Sequence, residues 1–196
     1  MKLFDLTGKK AVVTGAASGL SHGIAEGLME NGAEVVIIDI SQKTEEAAEE
    51  FRARGFKAHA VRANLGDREE LQAAFSKSLA LLGGRLDILI PAAGIQRRNK
   101  AEDFTLEDWD SVIGINLSAV FMLCQLAGRE MLKQKSGKII NIASMLSFFG
   151  GYTVAAYSAS KGGVAQLTKA LSNEWACEGI NVNAIAPGYM ATAMNT

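Results

Sequence analysis

The chain has 196 residues, of which 20 are lysine or arginine and 21 are aspartate or glutamate. This balance of charge leaves no overall field that would attract nucleic acid or an anionic membrane, and it favours a small-molecule substrate. The length suits one domain, residues 1–196, with ample apolar side chains for a core. The N-terminus has no signal-length apolar segment, and no uninterrupted apolar run approaches about 18 residues, so we expect a soluble, cytoplasmic protein.

The cysteines and histidines show no ligand pattern. Cys124 and Cys177 lie far apart, and His22 and His59 have no evident metal-binding partners. We therefore expect no disulfide framework and no metal site, with both cysteines as buried thiols.

Short runs rich in β-branched residues alternate with longer amphipathic segments. The predicted strands, whose continuous apolar runs suit burial on both faces, are Lys10–Thr14, Glu34–Asp39, Lys57–Val61, Asp87–Ile90, Lys138–Ile142 and Asn181–Ile185. The predicted helices cover residues 19–31, 42–54, 67–83, 105–134 and 155–178, with Ser41, Asp67 and Thr105 as N-caps. This β-α order predicts an α/β fold: a single-domain, Rossmann-type, doubly wound parallel sheet with helices on both faces.

The first β-to-α turn reads T-G-A-A-S-G-L-S-H-G and is typical of a dinucleotide-binding turn. Gly15 permits the tight turn. Gly19 permits a pyrophosphate to approach the helix N-terminus, where backbone N–H groups and the helix dipole favour anions. A glycine-rich turn that only packs a helix against a strand is the alternative.

Asp39 ends the second predicted strand about twenty residues after this turn, where a carboxylate can bind both hydroxyls of an adenosine ribose. The same carboxylate would repel a 2′-phosphate, and neither position 18 nor position 40 holds arginine or lysine. We therefore predict NAD, rather than NADP, as the cofactor. The alternative is that Asp39 is a simple turn residue at a strand end.

Tyr157 and Lys161 lie four residues apart in Y-S-A-S-K, and Ser144 lies thirteen residues before Tyr157. The four-residue spacing puts the phenol and the ammonium on one helical face. A free tyrosine has a pKa of about 10, but a positive charge about 4 Å away contributes ~4 kcal/mol at an effective dielectric of about 20, which would lower that pKa considerably. These side chains indicate acid–base chemistry on an alcohol or carbonyl, with an exposed polar pair on a helix as the alternative.

Together these motifs resemble the short-chain dehydrogenase/reductase family, from L-T-G-K-K-A-V-V-T-G to P-G-Y-M-A-T. The resemblance implies a catalytic tetrad of Asn116, Ser144, Tyr157 and Lys161. Tyr157 would be the acid/base, Ser144 would polarise or position the substrate oxygen, and Lys161 would lower the tyrosine pKa and hold the ribose. Asn116 would hold a water that links Lys161 to solvent. The residues implied to bind the dinucleotide are Gly15, Ser18, Gly19, Leu20, Asp39, Asn64, Leu65, Ala93, Gly94, Tyr157, Lys161, Pro187, Gly188 and Thr192.

Within this family, K-I-I-N-I-A-S-M-L-S-F-F-G-G and the region around P-G-Y-M-A-T are similar to dehydrogenases of gluconate-type sugar acids, including 2-deoxy- and 3-deoxy-gluconate. The resemblance implies hydride transfer from a secondary hydroxyl to NAD, with Ser144 and Tyr157 at the reacting oxygen. Arg97 and Arg98 are candidates to hold the substrate carboxylate through a bidentate fork. Solvated arginines or an oligomer contact are the alternative for this pair.

Two other interpretations of the function stay open. One is a different family member, such as a 3-oxoacyl reductase or a polyol dehydrogenase. The other is a dinucleotide-binding sensor without turnover, and it draws on three departures from the family pattern. Ser21 replaces the usual third glycine, while Pro91 and Ala92 replace the two asparagines that usually follow the fourth strand. Asn64, commonly an aspartate, is a milder change. We expect these departures to weaken cofactor binding, since proline lacks a backbone donor and alanine lacks an amide.

The family usually continues beyond the position of Thr196 into a helical lid and a last strand. A chain that ended at Thr196 would lack both, and we would expect weak substrate selectivity from it, whereas a longer chain would have full activity. The apolar faces of the helices at 105–134 and 155–178 predict a homo-oligomer, which the resemblance implies is a tetramer.

Overall fold

The computed structural model of the chain describes residues 4–190. Within this range, six strands form one parallel sheet in the order β3-β2-β1-β4-β5-β6. The strands are β1 Lys10–Thr14, β2 Glu34–Asp39, β3 Ala58–Arg62, β4 Ile88–Ile90, β5 Gly137–Ile142 and β6 Ile180–Ile185. From β1 the strands are added outward as β2 and β3, and the chain then returns to the other side of β1 to form β4, β5 and β6. The boundary between β1 and β4 is therefore the topological switch point. The predicted Rossmann-type, doubly wound fold is confirmed.

In the described part of the chain, six α-helices connect and cover the strands. They are α1 Gly19–Glu30, α2 Thr44–Ala53, α3 Arg68–Leu81, α4 Leu106–Ile113, α5 Ala119–Gln134 and α6 Ala155–Trp175. The helix predicted at 105–134 is interrupted by a π-helical segment, Gly114–Ser118. The helix predicted at 155–178 ends three residues early, in a 3₁₀ turn at Ala176–Glu178. Single-turn π segments inside helices are frequent at functional sites.

Two of the three predicted N-caps are confirmed. The Asp67 carboxylate accepts hydrogen bonds from the N–H groups of Glu69 and Glu70, and the Thr105 hydroxyl accepts one from that of Asp108. The prediction for Ser41 is wrong, because α2 begins at Thr44. The Ser41 hydroxyl instead accepts from the N–H group of Lys43 at 3.1 Å, which closes a turn just before the helix.

The core has two apolar layers because successive strand residues point to opposite faces of the sheet. Val13 and Ile37 face α1 and α2, while Val12 and Ile38 face the layer formed with α3, α5 and α6. Cys124 is buried in the second layer, as predicted. Cys177 is exposed, so the prediction of a buried thiol is wrong there. It lies in the 3₁₀ turn that connects α6 to β6, outside both core layers.

Among residues 4–190, the helical stretch Leu106–Gln134, which comprises α4, the π-helical segment and α5, is long and apolar enough to cross a membrane by length and composition alone. It contributes Val120, Leu123 and Ala127 to the core layer on the sheet. Its apolar composition is explained by this packing, since core helices of globular proteins satisfy the same criteria.

Candidate active site

A cleft of about 790 Å³ opens at the carboxyl ends of the strands, next to the switch point. Ligands of doubly wound folds bind in this position. The sequence-predicted residues that line the cleft are Gly15, Ser18, Gly19, Leu20, Asp39, Asn64, Leu65, Ala93, Gly94, Arg98, Ser144, Tyr157, Lys161, Pro187 and Gly188. Of the remaining predictions, Asn116 and Arg97 are not among the lining residues, although Asn116 contacts the lining residue Ile95, and Thr192 lies outside the described residues.

The glycine turn leaves room for an anion at the start of α1. Gly15 and Gly19 have φ values of +70° and +67°, a conformation that glycine adopts without strain. A Cβ on Gly15 would lie 2.8 Å from the Cα of Ala93, whereas a Cβ on Gly19 would meet no described heavy atom within 4 Å. Gly15 thus lets the loop after β4 approach, and Gly19 keeps the helix N-terminus open. The residue at the third glycine position, Ser21, is buried within this arrangement without closing the cleft.

Asp39 joins the glycine turn to the end of β2. Its Oδ2 accepts from the N–H of Ala17 and its Oδ1 from the N–H of Ser41, both at 3.0 Å. The carboxylate therefore has the turn function that was the alternative in the sequence. It also lines the cleft, and its remaining lone pairs can accept hydrogen bonds from ribose hydroxyls. The residues present fit a dinucleotide, with the pyrophosphate at the first turn of α1 and the adenosine ribose at Asp39.

Hydrogen bonds from other elements hold the loop after β4. The N–H of Ala93 donates to the Thr14 hydroxyl at 3.0 Å. Asn116 binds Ile95 twice, because its Oδ1 accepts from the Ile95 N–H at 2.8 Å and its Nδ2 donates to the Ile95 carbonyl at 2.9 Å. These contacts keep the loop beside the cleft even though Pro91 has no backbone donor and the next residue, Ala92, has no side-chain amide.

Asn116 is fully buried in the π-helical segment. Besides its two contacts with Ile95, its Nδ2 lies 3.3 Å from the hydroxyl of Ser160 on α6. Its side chain thus connects the loop after β4 to the helix that carries Tyr157 and Lys161. The holding of a water by Asn116 stays a prediction.

Ser144, Tyr157 and Lys161 meet where β5 ends against α6. Ser144 lies two residues after the end of β5, and its hydroxyl is close enough to the phenol of Tyr157 to lower the pKa of that phenol. The Nζ of Lys161 donates to the carbonyl of Ile142 at 2.6 Å and lies 5.7 Å from the centroid of the Tyr157 ring. The predicted acid–base group is therefore assembled in one place, with the ammonium anchored to the strand end.

The pKa values of Tyr157 and Lys161 shift because both side chains are removed from water. Burial raises the pKa of the Tyr157 phenol, and the hydrogen bond with Ser144 lowers it by less. Burial lowers the pKa of Lys161 from 10.5 to about 8. Desolvation disfavours the charged form of each group. Burial of the phenol therefore outweighs the lowering of its pKa that was predicted from Lys161, and the contribution of Lys161, whose ammonium is directed toward Ile142, stays a prediction.

The two adjacent arginines have different surroundings. The Nε of Arg97 lies 3.3 Å from Oδ1 of Asp108 on α4, an ion pair at the protein surface. Arg98 lines the cleft, and its guanidinium faces the side chain of Gln96. With the Gln96 amide oxygen oriented toward it, Nη2 and Nε of Arg98 donate at 2.9 and 3.1 Å. The geometry therefore favours Arg98 over Arg97 as a ligand-binding residue.

Several lining residues were missed in the sequence. They include Ile40, Gln96, Met145, Leu146, Gly151, Tyr152, Tyr189 and Met190. Tyr152 and Tyr189 are 84% and 86% exposed at the edge of the cleft. Their positions next to glycines, in G-G-Y and P-G-Y, are a signal that could have identified them.

A parallel sheet of this order, an anion-accepting glycine turn at its switch point, and serine, tyrosine and lysine in one cleft define a dinucleotide-binding oxidoreductase. The chain belongs to the short chain dehydrogenase family, whose pattern matches residues 9–196. The resemblance seen in the motifs is confirmed.

Curated relatives narrow the comparison. The 2-dehydro-3-deoxy-D-gluconate 5-dehydrogenase of Bacillus subtilis (strain 168) is 47% identical over 193 residues, covering 97% of this chain and 74% of the relative. The enzyme of the same name from Escherichia coli (strain K12) is 45% identical, covering 98% and 76%. A gluconate 5-dehydrogenase from Burkholderia cenocepacia J2315, solved in complex with NADP and tartrate, is 39% identical with a TM-score of 0.91, covering 98% and 75%. This chain thus spans about three quarters of these proteins.

Proposed function

We propose that this protein transfers hydride between a nicotinamide dinucleotide and a secondary hydroxyl or ketone of a gluconate-type sugar acid, of the 2-deoxy- or 3-deoxy-gluconate class. One observation carries the substrate class: the cationic side chain of Arg98 shares a cleft with Ser144 and Tyr157. A guanidinium can bind a carboxylate through two parallel hydrogen bonds while the sugar hydroxyl lies at the acid–base group. The names of the relatives support the same class.

The side chains of the cleft have distinct functions in this proposal. Tyr157 takes the hydroxyl proton when the alcohol is oxidised and returns it when the ketone is reduced. The Ser144 hydroxyl donates a hydrogen bond to the reacting oxygen, and the Lys161 ammonium supplies positive charge near the phenol. A dinucleotide held by the first turn of α1 and by Asp39 would supply the hydride-transfer chemistry.

The main test is formation of NADH from NAD with a panel of sugar acids, polyols and 3-hydroxyacyl compounds. We expect turnover with a gluconate-type acid and loss of that turnover in Tyr157→Phe, which keeps the ring but removes the proton carrier. Preference for a polyol or an acyl substrate would favour another family activity. NAD binding without turnover of any substrate would support the non-catalytic sensor.

The two arginines offer a matched pair of variants for the carboxylate. We expect Arg98→Ala to raise KM for the sugar acid by about tenfold or more, since a charge-assisted hydrogen bond contributes about 1.5–3 kcal/mol. Arg97→Ala removes the same charge from the surface ion pair with Asp108, and we expect less than about a twofold change. Equal effects of both variants, or none, would contradict the assignment of Arg98.

We further propose that NAD is preferred over NADP. Asp39 lines the cleft at the end of β2, and its negative charge disfavours a 2′-phosphate. The NADP complex of the Burkholderia relative is the reason to test both cofactors. We expect kcat/KM to be higher with NAD than with NADP. Asp39→Asn removes the negative charge but keeps an acceptor oxygen, so we expect it to reduce the ratio of kcat/KM with NAD to kcat/KM with NADP. A higher kcat/KM with NADP in the unchanged enzyme would overturn this preference.

We also propose a soluble, cytoplasmic homo-oligomer, with a tetramer as the expected state. A groove at the surface of α5 supports the association, with Leu117, Phe121, Met122 and Leu167 among its lining residues and Phe121 43% exposed. Light scattering coupled to gel filtration measures the assembly. We expect Phe121→Glu to reduce its mass, and an unchanged monomeric mass for both forms would contradict the proposal.

A further inference from the structure

The turn between β5 and α6 contains a hydroxyl that touches two of the proposed active-site residues. Ser147 ends the 3₁₀ turn Met145–Ser147, three residues after Ser144, and is half-buried. Its Oγ donates to the carbonyl of Lys161 at 2.7 Å and accepts from the N–H of Ser144 at 3.2 Å. One hydroxyl therefore joins the backbone of Ser144 to the backbone of Lys161.

This bridge complements a second connection at the same place. The side chain of Lys161 is bonded to the carbonyl of Ile142, at the end of β5. Lys161 is thus attached to the strand end through its side chain and to the following turn through its carbonyl. Tyr157 lies one helical turn before Lys161 on α6, so a fixed position of residue 161 also fixes the helix that presents the phenol.

The bridge also orients the Ser144 hydroxyl. That hydroxyl accepts from the N–H of Leu146 at 3.1 Å, inside the turn that Ser147 closes. Because a serine hydroxyl has a single donor hydrogen, acceptance from the backbone leaves this hydrogen for the phenol of Tyr157 or for a substrate oxygen. A change in the turn would therefore alter the distance and angle between Ser144 and Tyr157.

We propose that Ser147 is a positioning residue for the reaction. Its two hydrogen bonds hold the backbone of Ser144 and helix α6 in a fixed position relative to each other. The inference rests on the proposed function for its kinetic consequences but not for its geometry. Ser147 does not line the cleft, so it influences the reaction through Ser144 and Tyr157 rather than through contact with substrate or dinucleotide. Misplacement of a reacting group by about 1 Å can reduce a rate by as much as about 100-fold.

The test compares Ser147→Ala and Ser147→Thr with Ser158→Ala. Threonine keeps the bridging hydroxyl. Ser158 is a matched control, since its buried hydroxyl has no hydrogen-bond partner within residues 4–190. We expect Ser147→Ala to lower kcat by about tenfold with less than about a twofold change in the dinucleotide Kd. The misplaced Ser144 and Tyr157 would stabilise the transition state less well, whereas binding of the dinucleotide would be unaffected. We expect Ser147→Thr to recover most of the rate and Ser158→Ala to behave like the unchanged enzyme.

A second measurement does not depend on turnover. The Ser144 hydrogen bond lowers the pKa of Tyr157, so its disturbance in Ser147→Ala should move that pKa upward. Ultraviolet titration of tyrosinate, taken as the difference from the same protein with Tyr157→Phe, measures this pKa. The pH profile of alcohol oxidation should move in the same direction. A purely structural loss of stability would leave both unchanged.

The outcomes separate the two proposals. Absence of turnover in the unchanged enzyme, with a raised tyrosine pKa in Ser147→Ala, would remove the proposed function and retain the positioning inference. Turnover and a tyrosine pKa that match the unchanged enzyme in Ser147→Ala would overturn the inference. If Ser147→Ala does not fold, Ser147→Cys, which keeps the size but is a weak donor, is measured instead, and an unchanged kcat and tyrosine pKa there would also overturn it.

Discussion

Replacement of Asn116 by alanine separates a supporting function of this residue from the water-holding function that family resemblance implies. The variant loses three hydrogen bonds, two to Ile95 and one to Ser160. A buried polar group left without a partner costs about 1–3 kcal/mol. Ile95 is only half-buried, so water partly replaces its lost partners, and we expect the free energy of unfolding to fall by about 2–3 kcal/mol.

Urea denaturation followed by circular dichroism measures this change. Asn99→Ala is the matched control: its amide also makes two backbone hydrogen bonds, to Lys100 and Asp103, but it is exposed. We expect Asn99→Ala to cost less than about 1 kcal/mol, because water can replace both partners. A similarly small loss in Asn116→Ala, together with a large fall in kcat, would refute the reasoning and favour a direct function of Asn116 in proton transfer.

Two further predictions concern pH and backbone strain. Burial lowers the pKa of Lys161 from 10.5 to about 8. Between these two pH values the unfolded chain binds more protons at this residue than the folded protein does, so the free energy of unfolding rises with pH across that window. The difference in unfolding free energy between the unchanged protein and Lys161→Met should change across this window, whereas a flat difference would contradict it. Thr153 has φ of +63°, costly for a β-branched residue. We expect Thr153→Gly to raise the unfolding free energy by about 0.5–1 kcal/mol after the entropy of glycine is subtracted, and thermal denaturation that shows a lower midpoint would refute this.

The strands and their order of appearance could be predicted because their signals are local. Each apolar run is continuous, and Pro91 ends β4 at Ile90 because a proline has no N–H group for the ladder. Boundaries elsewhere moved by one to three residues, as at Ser41, where a hydroxyl closed a turn instead of capping the helix. Both outcomes are available to a serine, and local sequence does not choose between them.

The π-helical segment around Asn116 has no comparable signal. Its sequence, G-I-N-L-S, continues an ordinary amphipathic helix. The side chain of Asn116 reaches a loop 21 residues away in sequence, and this contact exists only after β4 and α4 are packed. Such long-range partners determine whether a helix accommodates an extra residue in a turn.

The sequence predicted which residues form the site better than it predicted their orientation and their pKa values. Tyr157 and Lys161 were expected together because four residues make one helical turn. The direction of the Lys161 side chain, toward Ile142, depends on where β5 ends relative to α6. The sequence predicted a lowered tyrosine pKa from the nearby charge of Lys161. Burial of the phenol, which depends on how the layers pack, instead raises that pKa.

The sequence by itself determined the parallel α/β fold, the dinucleotide turn at Gly15 and Gly19, and the position of Tyr157 beside Lys161 on one helical face. These features follow from periodicity and from spacing within one strand or one helical turn. Local backbone geometry sets both of them, so they depend little on the rest of the chain. Only the tertiary structure separated Arg98 from Arg97 and joined Ser147 to both Ser144 and Lys161. Direction, burial and partner of a side chain depend on elements distant in sequence, so they are decided when the layers pack.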